Sequence, residues 1–238
     1  TTDRMVKQVE GGGWAIAGFA PGNKQAVVAN YISVTKTNLY WLDLDTGAMT
    51  PIGDHKKAIA YGGGRFAPDG SLWVTSDEGS DFQRLGTLDP KTGKFTPRSP
   101  EPKWDVEGFD IAEDGSFIAY TVNEAGVYKL RLLDPKTGAV REVPGLPAGT
   151  IGGVGIAPWG TIGFTISSAK VPADAYSVDP KTLEVTRWTM SETGGLDPSV
   201  NVEPEFVEVK SFDGEPVSGF LYRPDPKKFP GKRPLIFN

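Results

Sequence analysis

The chain has 238 residues, of which 38% are hydrophobic and 23% are charged, a composition typical of a globular protein with one or two domains. The net charge of -5 argues against a nucleic-acid-binding surface, and no apolar run approaches the ~20 residues of a membrane-spanning helix. The absence of cysteine excludes disulfide bonds and thiolate metal sites.

The first ten residues contain an alternating segment at 5–9, which predicts a β-strand. The chain opens on Thr1 with neither an initiator methionine nor a signal-peptide pattern, so we expect an internal or processed start. Relative to the repeats of residues 14–189, this strand takes the place of the last strand of a preceding unit. We therefore expect further repeats upstream.

Two turn motifs recur through residues 14–189 with the same period. The first, LDPKTG and its variants, starts at intervals of 46, 45 and 45 residues and has copies at 42–47, 88–93, 133–138 and 178–183. The second, FAPDG and its variants, starts at intervals of 47, 45 and 45 residues and has copies at 19–23, 66–70, 111–115 and 156–160. Self-similarity at this period is typical of a β-propeller, whose blades have roughly 40–50 residues.

The residues of each motif explain why the chain turns there. Proline presets φ at the first central position, aspartate accepts backbone N–H groups just ahead, and glycine takes positive φ where the next strand begins. The Asp-Gly pairs of the second motif predict hairpin turns, so each repeat predicts four antiparallel strands. In the third repeat these strands are predicted at 106–112, 116–122, 127–133 and 139–143.

Residues 1–190 therefore predict an all-β fold with about four four-stranded blades, which we interpret as part of a seven- or eight-bladed propeller. A closed ring of four blades is the alternative. The predicted blades are 14–52, 61–98, 106–144 and 152–189. The second strand of each blade is a nearly continuous apolar run, which predicts burial on both faces between neighbouring blades.

The periodicity stops near residue 190. Residues 191–204 form a predicted linker rich in turn-forming residues. Two alternating segments at 206–212 and 217–222 then predict a hairpin around Asp213-Gly214, and 234–238 predicts a third, apolar strand. We assign 205–238 to the start of a second domain.

This last part resembles the prolyl oligopeptidase family of serine peptidases, including its acylaminoacyl-peptidase and dipeptidyl-peptidase relatives. The resemblance rests on VKSFDG at 209–214, continuing to Pro224, and on RPLI at 233–236; the repeat segments 77–85 and 105–109 add to it. It implies that 205–238 are the first strands of an α/β-hydrolase domain. It also implies that the parent protein is a serine peptidase acting on short peptides.

The resemblance also implies where the catalytic residues lie. In that family the strand at 234–238 leads to an oxyanion-hole loop, then to a G-x-S-x-G nucleophile elbow, and then to the Asp and His of the triad. This chain has no G-x-S-x-G segment, and its one histidine, His55, lies in a connection between blades. We therefore expect the triad beyond Asn238 and expect the 238-residue chain by itself to be inactive.

The candidate substrate-facing residues are Trp104, Asp105 and Glu107, which lead into the inner strand of the third repeat. An aromatic ring and carboxylates there would face the central channel or the domain interface, where related peptidases contact substrate. The alternative is a purely structural role that needs no substrate: Trp104 would pack between blades, and Asp105 would cap a turn.

Other residues that could in principle bind a metal ion or a phosphate have simpler explanations. We expect His55 to be a solvent-exposed loop residue, because no cluster of ligand-forming side chains surrounds it in sequence. The acidic run at 77–81 lacks the EF-hand spacing and predicts the cap of an exposed hairpin. The glycine runs at 11–13 and 62–64 open no helix and are not phosphate loops. No metal and no other cofactor is expected.

Two functions of different kinds remain. The first is the substrate-gating propeller of a serine peptidase, whose partners are a peptide substrate and the remainder of the parent chain. The second is a non-catalytic, TolB-like propeller that binds protein partners. An exposed propeller edge also predicts self-association, whereas neither nucleic acid nor a membrane is an expected partner. The compartment stays open between the bacterial cytoplasm and the periplasm.

Overall fold

The computed structural model describes residues 3–100 and 103–237 and contains four four-stranded antiparallel sheets that succeed one another along the chain. Within each sheet the strands are hydrogen-bonded in chain order, so each sheet is an up-and-down meander. This architecture confirms the prediction of all-β propeller blades. Residues 1, 2, 101, 102 and 238 of the predicted segments lie outside the described residues.

The strands of the four blades begin and end close to the bounds expected from the repeats. Blade one contains β1 (Trp14–Phe19), β2 (Gln25–Ser33), β3 (Lys36–Asp43) and β4 (Met49–Ile52). Blade two contains β5 (Tyr61–Phe66), β6 (Leu72–Ser76), β7 (Arg84–Leu88) and β8 (Phe95–Pro97). Blade three contains β9 (Val106–Ile111), β10 (Ile118–Glu124), β11 (Val127–Leu133) and β12 (Val140–Glu142). Blade four contains β13 (Thr150–Ile156), β14 (Ile162–Ser167), β15 (Asp174–Val178) and β16 (Val185–Arg187).

Apolar cores fill the spaces between successive blades. Val27 and Leu39 of blade one pack with Leu72 and Val74 of blade two, and similar clusters join blades two and three and blades three and four. All five residues of β6 are buried, as expected for a strand covered on both faces. The blades are therefore held side by side mainly by burial of apolar side chains.

The repeated turns have the geometry that their residues predict. The aspartate of each LDPKTG-like turn accepts a backbone N–H from the residue two positions ahead, at 2.7–3.1 Å, in the copies at Asp43, Asp89, Asp134 and Asp179. The last motif position has positive φ in every copy, at Gly47, Gly93, Gly138 and Leu183. Side-chain capping and a left-handed residue together reverse the chain between the third and fourth strands.

The up-and-down order places the connections at two opposite ends of the blades. The repeated turn motifs, which come after the first and third strands, lie at one end, called the lower face. The loops between second and third strands and the connections between blades lie at the other end, called the upper face. The chain leaves β16 at the upper face, so the linker after blade four starts there.

The segment before blade one departs from the prediction. Residues 5–9 are not a strand, and the predicted fourth strand of a preceding blade is therefore wrong. Arg4 instead donates hydrogen bonds to the carbonyls of Leu44 and Asp45, which lie in the outer turn of blade one. A strand needs a hydrogen-bonded neighbour, and among the described residues no strand pairs with this segment.

After blade four, a short 3-10 helix (Pro198–Val200) precedes the hairpin of β17 (Glu205–Lys210) and β18 (Pro216–Leu221). The hairpin confirms the two predicted strands. Residues 234–237 are not a strand, so that prediction is wrong for them; with no neighbouring strand, Ile236 and Phe237 stay 87% exposed. Across the described part of the chain, no helix has the length and apolar character needed to cross a membrane.

Candidate functional site: a groove on the upper face

The β17–β18 hairpin packs on the upper face of blade three. Phe206 and Phe220 are directly paired across the hairpin, with ring centroids 6.3 Å apart at an interplanar angle of 71°. The ring of Phe220 lies on Gly126, where an added β-carbon would overlap it. Gly126 also has φ of 84°, so both the backbone and the contact with the hairpin require glycine there.

A groove of about 280 Å³ lies between this hairpin and the loops of blades two and three. Trp104 and Asp105 form one wall, and Phe206 and Phe220 form the other. The Trp104 side chain is 37% exposed, so a flat apolar surface remains available to a ligand. The structure thus brings two of the three sequence-predicted residues to one groove.

Asp105 has a structural role as well as a place in the groove. Its Oδ1 accepts a hydrogen bond from the backbone N–H of Gln83 at 2.7 Å, and its carbonyl accepts one from Asn123 at 3.2 Å. The predicted capping role is therefore present, across blades rather than within one turn. A carboxylate has further acceptor positions beyond the one used, so capping leaves Asp105 able to accept from a ligand.

Glu107 lies beside the groove rather than in its wall. Its Oε1 accepts a 3.4 Å hydrogen bond from the side chain of Asn123, which does line the groove. Burial, the charge of Glu107 and a hydrogen bond to Glu107 raise the pKa of Tyr128. Glu107 is therefore linked to the groove through Asn123.

A second cavity, of about 390 Å³, continues beneath the hairpin and shares Gly126, Phe206 and Phe220 with the groove. It extends between blades three and four to Ser167 and Glu203. The sequence-based prediction missed the two phenylalanines. Their alternation about the Asp213-Gly214 turn pairs them on one face, but nothing in the sequence says which surface that face covers.

His55 is not the solvated loop residue that the sequence predicted. Its Nε2 lies 2.9 Å from the carbonyl oxygen of Leu39, and its ring meets that of Tyr40 edge-on at 4.8 Å between centroids. The ring is half-buried, so His55 fastens the connection after blade one. In residues 3–100 and 103–237 no group of three or more His, Asp or Glu side chains is placed to hold a metal ion.

The acidic run at 77–81 lies in the loop between β6 and β7, as predicted, but Asp77, Glu78 and Ser80 are half-buried rather than exposed. Asp77 accepts a hydrogen bond from the backbone N–H of Ala60 at 2.8 Å, and Ser80 N–H donates to the Asp77 carbonyl at 3.0 Å. Burial and the negative charges of Glu78 and Asp77 raise the pKa of Tyr61. The run therefore joins the loop of blade two to the preceding connection.

Comparison with known proteins agrees with the propeller fold and gives no closer assignment by sequence. No protein-family model matches the chain, and no curated protein matches it.

Solved structures show the same propeller fold in other proteins. Puromycin hydrolase superposes with a TM-score of 0.72 and 20% identity over 86% of this chain and 32% of its own. Prolyl oligopeptidase B from Galerina marginata superposes with a TM-score of 0.70 and 16% identity over 87% of this chain and 30% of its own. TolB from Acinetobacter baumannii superposes with a TM-score of 0.61 and 18% identity over 80% of this chain and 47% of its own. The chain thus corresponds to about a third of each of the two enzymes, and the likeness is one of fold.

Proposed function

We propose that the chain is the substrate-gating propeller portion of a serine peptidase of the prolyl oligopeptidase family that acts on short peptides. Residues 1–190 would be propeller blades, 191–204 a linker, and 205–238 the first strands of an α/β-hydrolase domain. The observation that carries the proposal is the groove on the upper face. It is formed jointly by propeller residues, Trp104 and Asp105, and by the hairpin after the propeller.

The surroundings of His55 support placing the catalytic residues elsewhere in the parent protein. A Ser–His–Asp triad needs an imidazole whose Nε2 can take a proton from the serine hydroxyl. His55 is the only histidine, and its Nε2 lies 2.9 Å from the Leu39 carbonyl in blade one. The histidine of the proposed enzyme would then lie outside these 238 residues, and the lack of a G-x-S-x-G segment among them would place the serine outside as well.

The groove suits a short peptide chemically. The exposed face of Trp104 offers apolar contact to a side chain or a proline ring. The Asp105 carboxylate can accept from a peptide N–H or an ammonium group while it caps Gln83. A peptide in the groove would lie between propeller and hairpin, where a folded protein has no room, so selection would be by size.

The test uses the complete parent protein and a pair of tryptophan variants on opposite faces. Trp104→Ala is expected to lower kcat/KM for short chromogenic peptides by about tenfold, since a buried aromatic contact contributes about 1–2 kcal/mol. Trp159→Ala is the control, because Trp159 is 80% exposed and lies in a lower-face turn motif. Equal rates for the two variants, or a parent without peptidase activity, would overturn the proposal.

The second candidate function is a non-catalytic propeller that binds protein partners, and the similarity in fold to TolB is the reason to keep it. The two functions differ in the segments that the parent protein contains. A G-x-S-x-G segment after residue 238, together with covalent labelling of the parent by a fluorophosphonate, supports the peptidase. A parent that is not labelled and has no such segment supports the TolB-like function.

A further inference from the structure

Blade four contains one buried carboxylate at a position where the other three blades have no carboxylate. Asp174, the first residue of β15, has no solvent exposure. Its Oδ1 accepts hydrogen bonds from the hydroxyl of Thr189 at 2.9 Å and from both the backbone N–H and the hydroxyl of Ser191, each at 2.8 Å. Its Oδ2 accepts from the guanidinium of Arg187 at 2.5 Å.

The other repeats serve as internal comparisons for this position. The residue that corresponds to Asp174 is Asn38 in blade one, Arg84 in blade two and Lys129 in blade three. In blade three the corresponding pair has the opposite charges, because Lys129 lies 3.7 Å from Glu142, the counterpart of Arg187. That pair is about 40% exposed, whereas Asp174 is fully buried.

The change from a lysine in blade three to an aspartate in blade four changes which hydrogen-bonding groups the position can bind. A lysine has only donors, so Lys129 cannot accept from a backbone N–H, whereas a carboxylate can. Blade four is the blade that leads into the linker (residues 191–204), and the backbone bound by Asp174 is that of the first linker residue, Ser191. Among Asn38, Arg84, Lys129 and Asp174, the carboxylate therefore occurs in the blade where the chain must be directed out of the propeller.

The strength of these bonds is apparent in the acidity of the group. Burial opposes ionisation of Asp174, but the hydrogen bonds from Ser191, Thr189 and Arg187 outweigh it and lower the pKa to about 2. The carboxylate is therefore charged at neutral pH, and its bonds to donors are of the stronger, charge-assisted kind.

Two further contacts hold the rest of the linker to the same blade. The side chain of Asn201 donates to the carbonyl of Ala169 at 2.7 Å, and Lys170 pairs with Glu203 at 3.4 Å. Both partners lie in the loop between β14 and β15, and β17 of the hairpin begins at Glu205. The path from blade four to the hairpin is thus attached at its start by Asp174 and at its end by this loop.

We propose that Asp174 is a positioning residue that fixes where the chain leaves the propeller and thereby seats the β17–β18 hairpin on blade three. Loss of its bonds to Ser191 releases the start of the linker. The hairpin, still joined to blade four through Asn201 and Glu203, then seats less firmly on Gly126 while the blades stay folded. This role is independent of whether the parent protein is a peptidase.

The test measures hydrogen exchange and side-chain labelling in the 238-residue protein. In Asp174→Asn, amides of the linker are expected to exchange about tenfold faster, the effect of losing a charge-assisted hydrogen bond. Oxidation of Phe220 by hydroxyl radicals is expected to increase, because Phe220 seats less firmly on Gly126. Lys129→Gln, the corresponding change in blade three, is the control and is expected to alter neither linker exchange nor Phe220 oxidation. Amide exchange in β6 is the reference that shows whether the blades remain folded.

A second variant separates positioning from stability of the blade. Ser191→Pro removes the N–H and the hydroxyl that Asp174 binds, and Ser191 belongs to no strand. This variant is expected to raise amide exchange in the linker and oxidation of Phe220, while amide exchange in β6 stays unchanged. The proposal fails if Ser191→Pro leaves linker exchange and Phe220 oxidation at wild-type values, even if Asp174→Asn destabilises the blade.

Discussion

At the residue scale, the last position of the LDPKTG-like turn has the same backbone conformation in neighbouring repeats but different surroundings. Gly93 has φ of 70° and Gly138 has φ of 74°. A β-carbon at Gly93 would overlap the backbone of Gly53 at the end of blade one, whereas one at Gly138 would meet no atom within 4 Å. The two positions therefore separate the cost of positive φ from the cost of crowding between blades.

We expect Gly138→Ala to lower the free energy of unfolding by about 1 kcal/mol, the cost of a left-handed conformation for an L-residue. Gly93→Ala should lower it by about 2 kcal/mol more, because Gly53 must move as well. Urea denaturation followed by circular dichroism measures both changes. Equal destabilisation by the two substitutions would show that the contact between Gly93 and Gly53 is unimportant.

The fourth repeat shows that sequence alone predicts such positions only in part. Leu183 occupies the same turn position with φ of 61°, although leucine is unfavourable there. Its side chain packs against the core between blades three and four, and this burial offsets the backbone strain. A motif predicts the conformation, but packing against the core shared with the neighbouring blade decides which residue is tolerated.

At the element scale, corresponding strands of different blades have different numbers of buried faces. Thr75, Thr121 and Thr165 occupy the same position in β6, β10 and β14. Thr75 and Thr121 are 1% and 3% exposed because a blade lies on either side, whereas Thr165 is exposed on the outer face of blade four. In β14 only Ile162, Phe164 and Ile166, which face blade three, are buried.

Lysine substitution at two of these threonines should therefore have very different effects in the 238-residue protein. Thr121→Lys buries an unpaired charge and is expected to lower the free energy of unfolding by more than about 3 kcal/mol. Thr165→Lys places the ammonium in water and should change it by less than about 0.5 kcal/mol. Thermal unfolding compares the two; a loss at Thr165 as large as that at Thr121 would mean that the outer face of blade four is covered.

Strands with a neighbour could be predicted from sequence, and segments without one could not. The repeats locate all four strands of blade three, since each turn motif fixes where a hairpin reverses. Residues 5–9 and 234–237 have strand-like alternation but form no strand, because hydrogen-bonding partners are not part of a local pattern. The groove is predictable from sequence only in part. The sequence predicts the wall formed by Trp104 and Asp105, but the position of Phe206 and Phe220 depends on where the hairpin packs on the blades.

At the scale of the whole molecule, the two outermost blades have unlike outer faces. On blade one, Ile16 pairs with Val28 and Phe19 with Ala26, so these side chains share the face turned away from blade two. Ile16 is 49% exposed and Phe19 53% exposed. On β14 of blade four, the corresponding outward positions are instead Gly163, Thr165 and Ser167.

This asymmetry predicts self-association of the 238-residue protein through blade one. A second copy that covers Ile16 and Phe19 would remove apolar surface from water, which favours association by ~25 cal/mol for each Å² buried. Sedimentation velocity should show a sedimentation coefficient that rises with protein concentration. Phe19→Lys should abolish the rise, whereas Trp159→Lys, an equally large change at an 80% exposed lower-face residue, should leave it intact. Because only the first variant alters the outer face of blade one, association that survives Phe19→Lys would have to use another surface, and the exposed hairpin face around Val209 and Val217 would be the next to test.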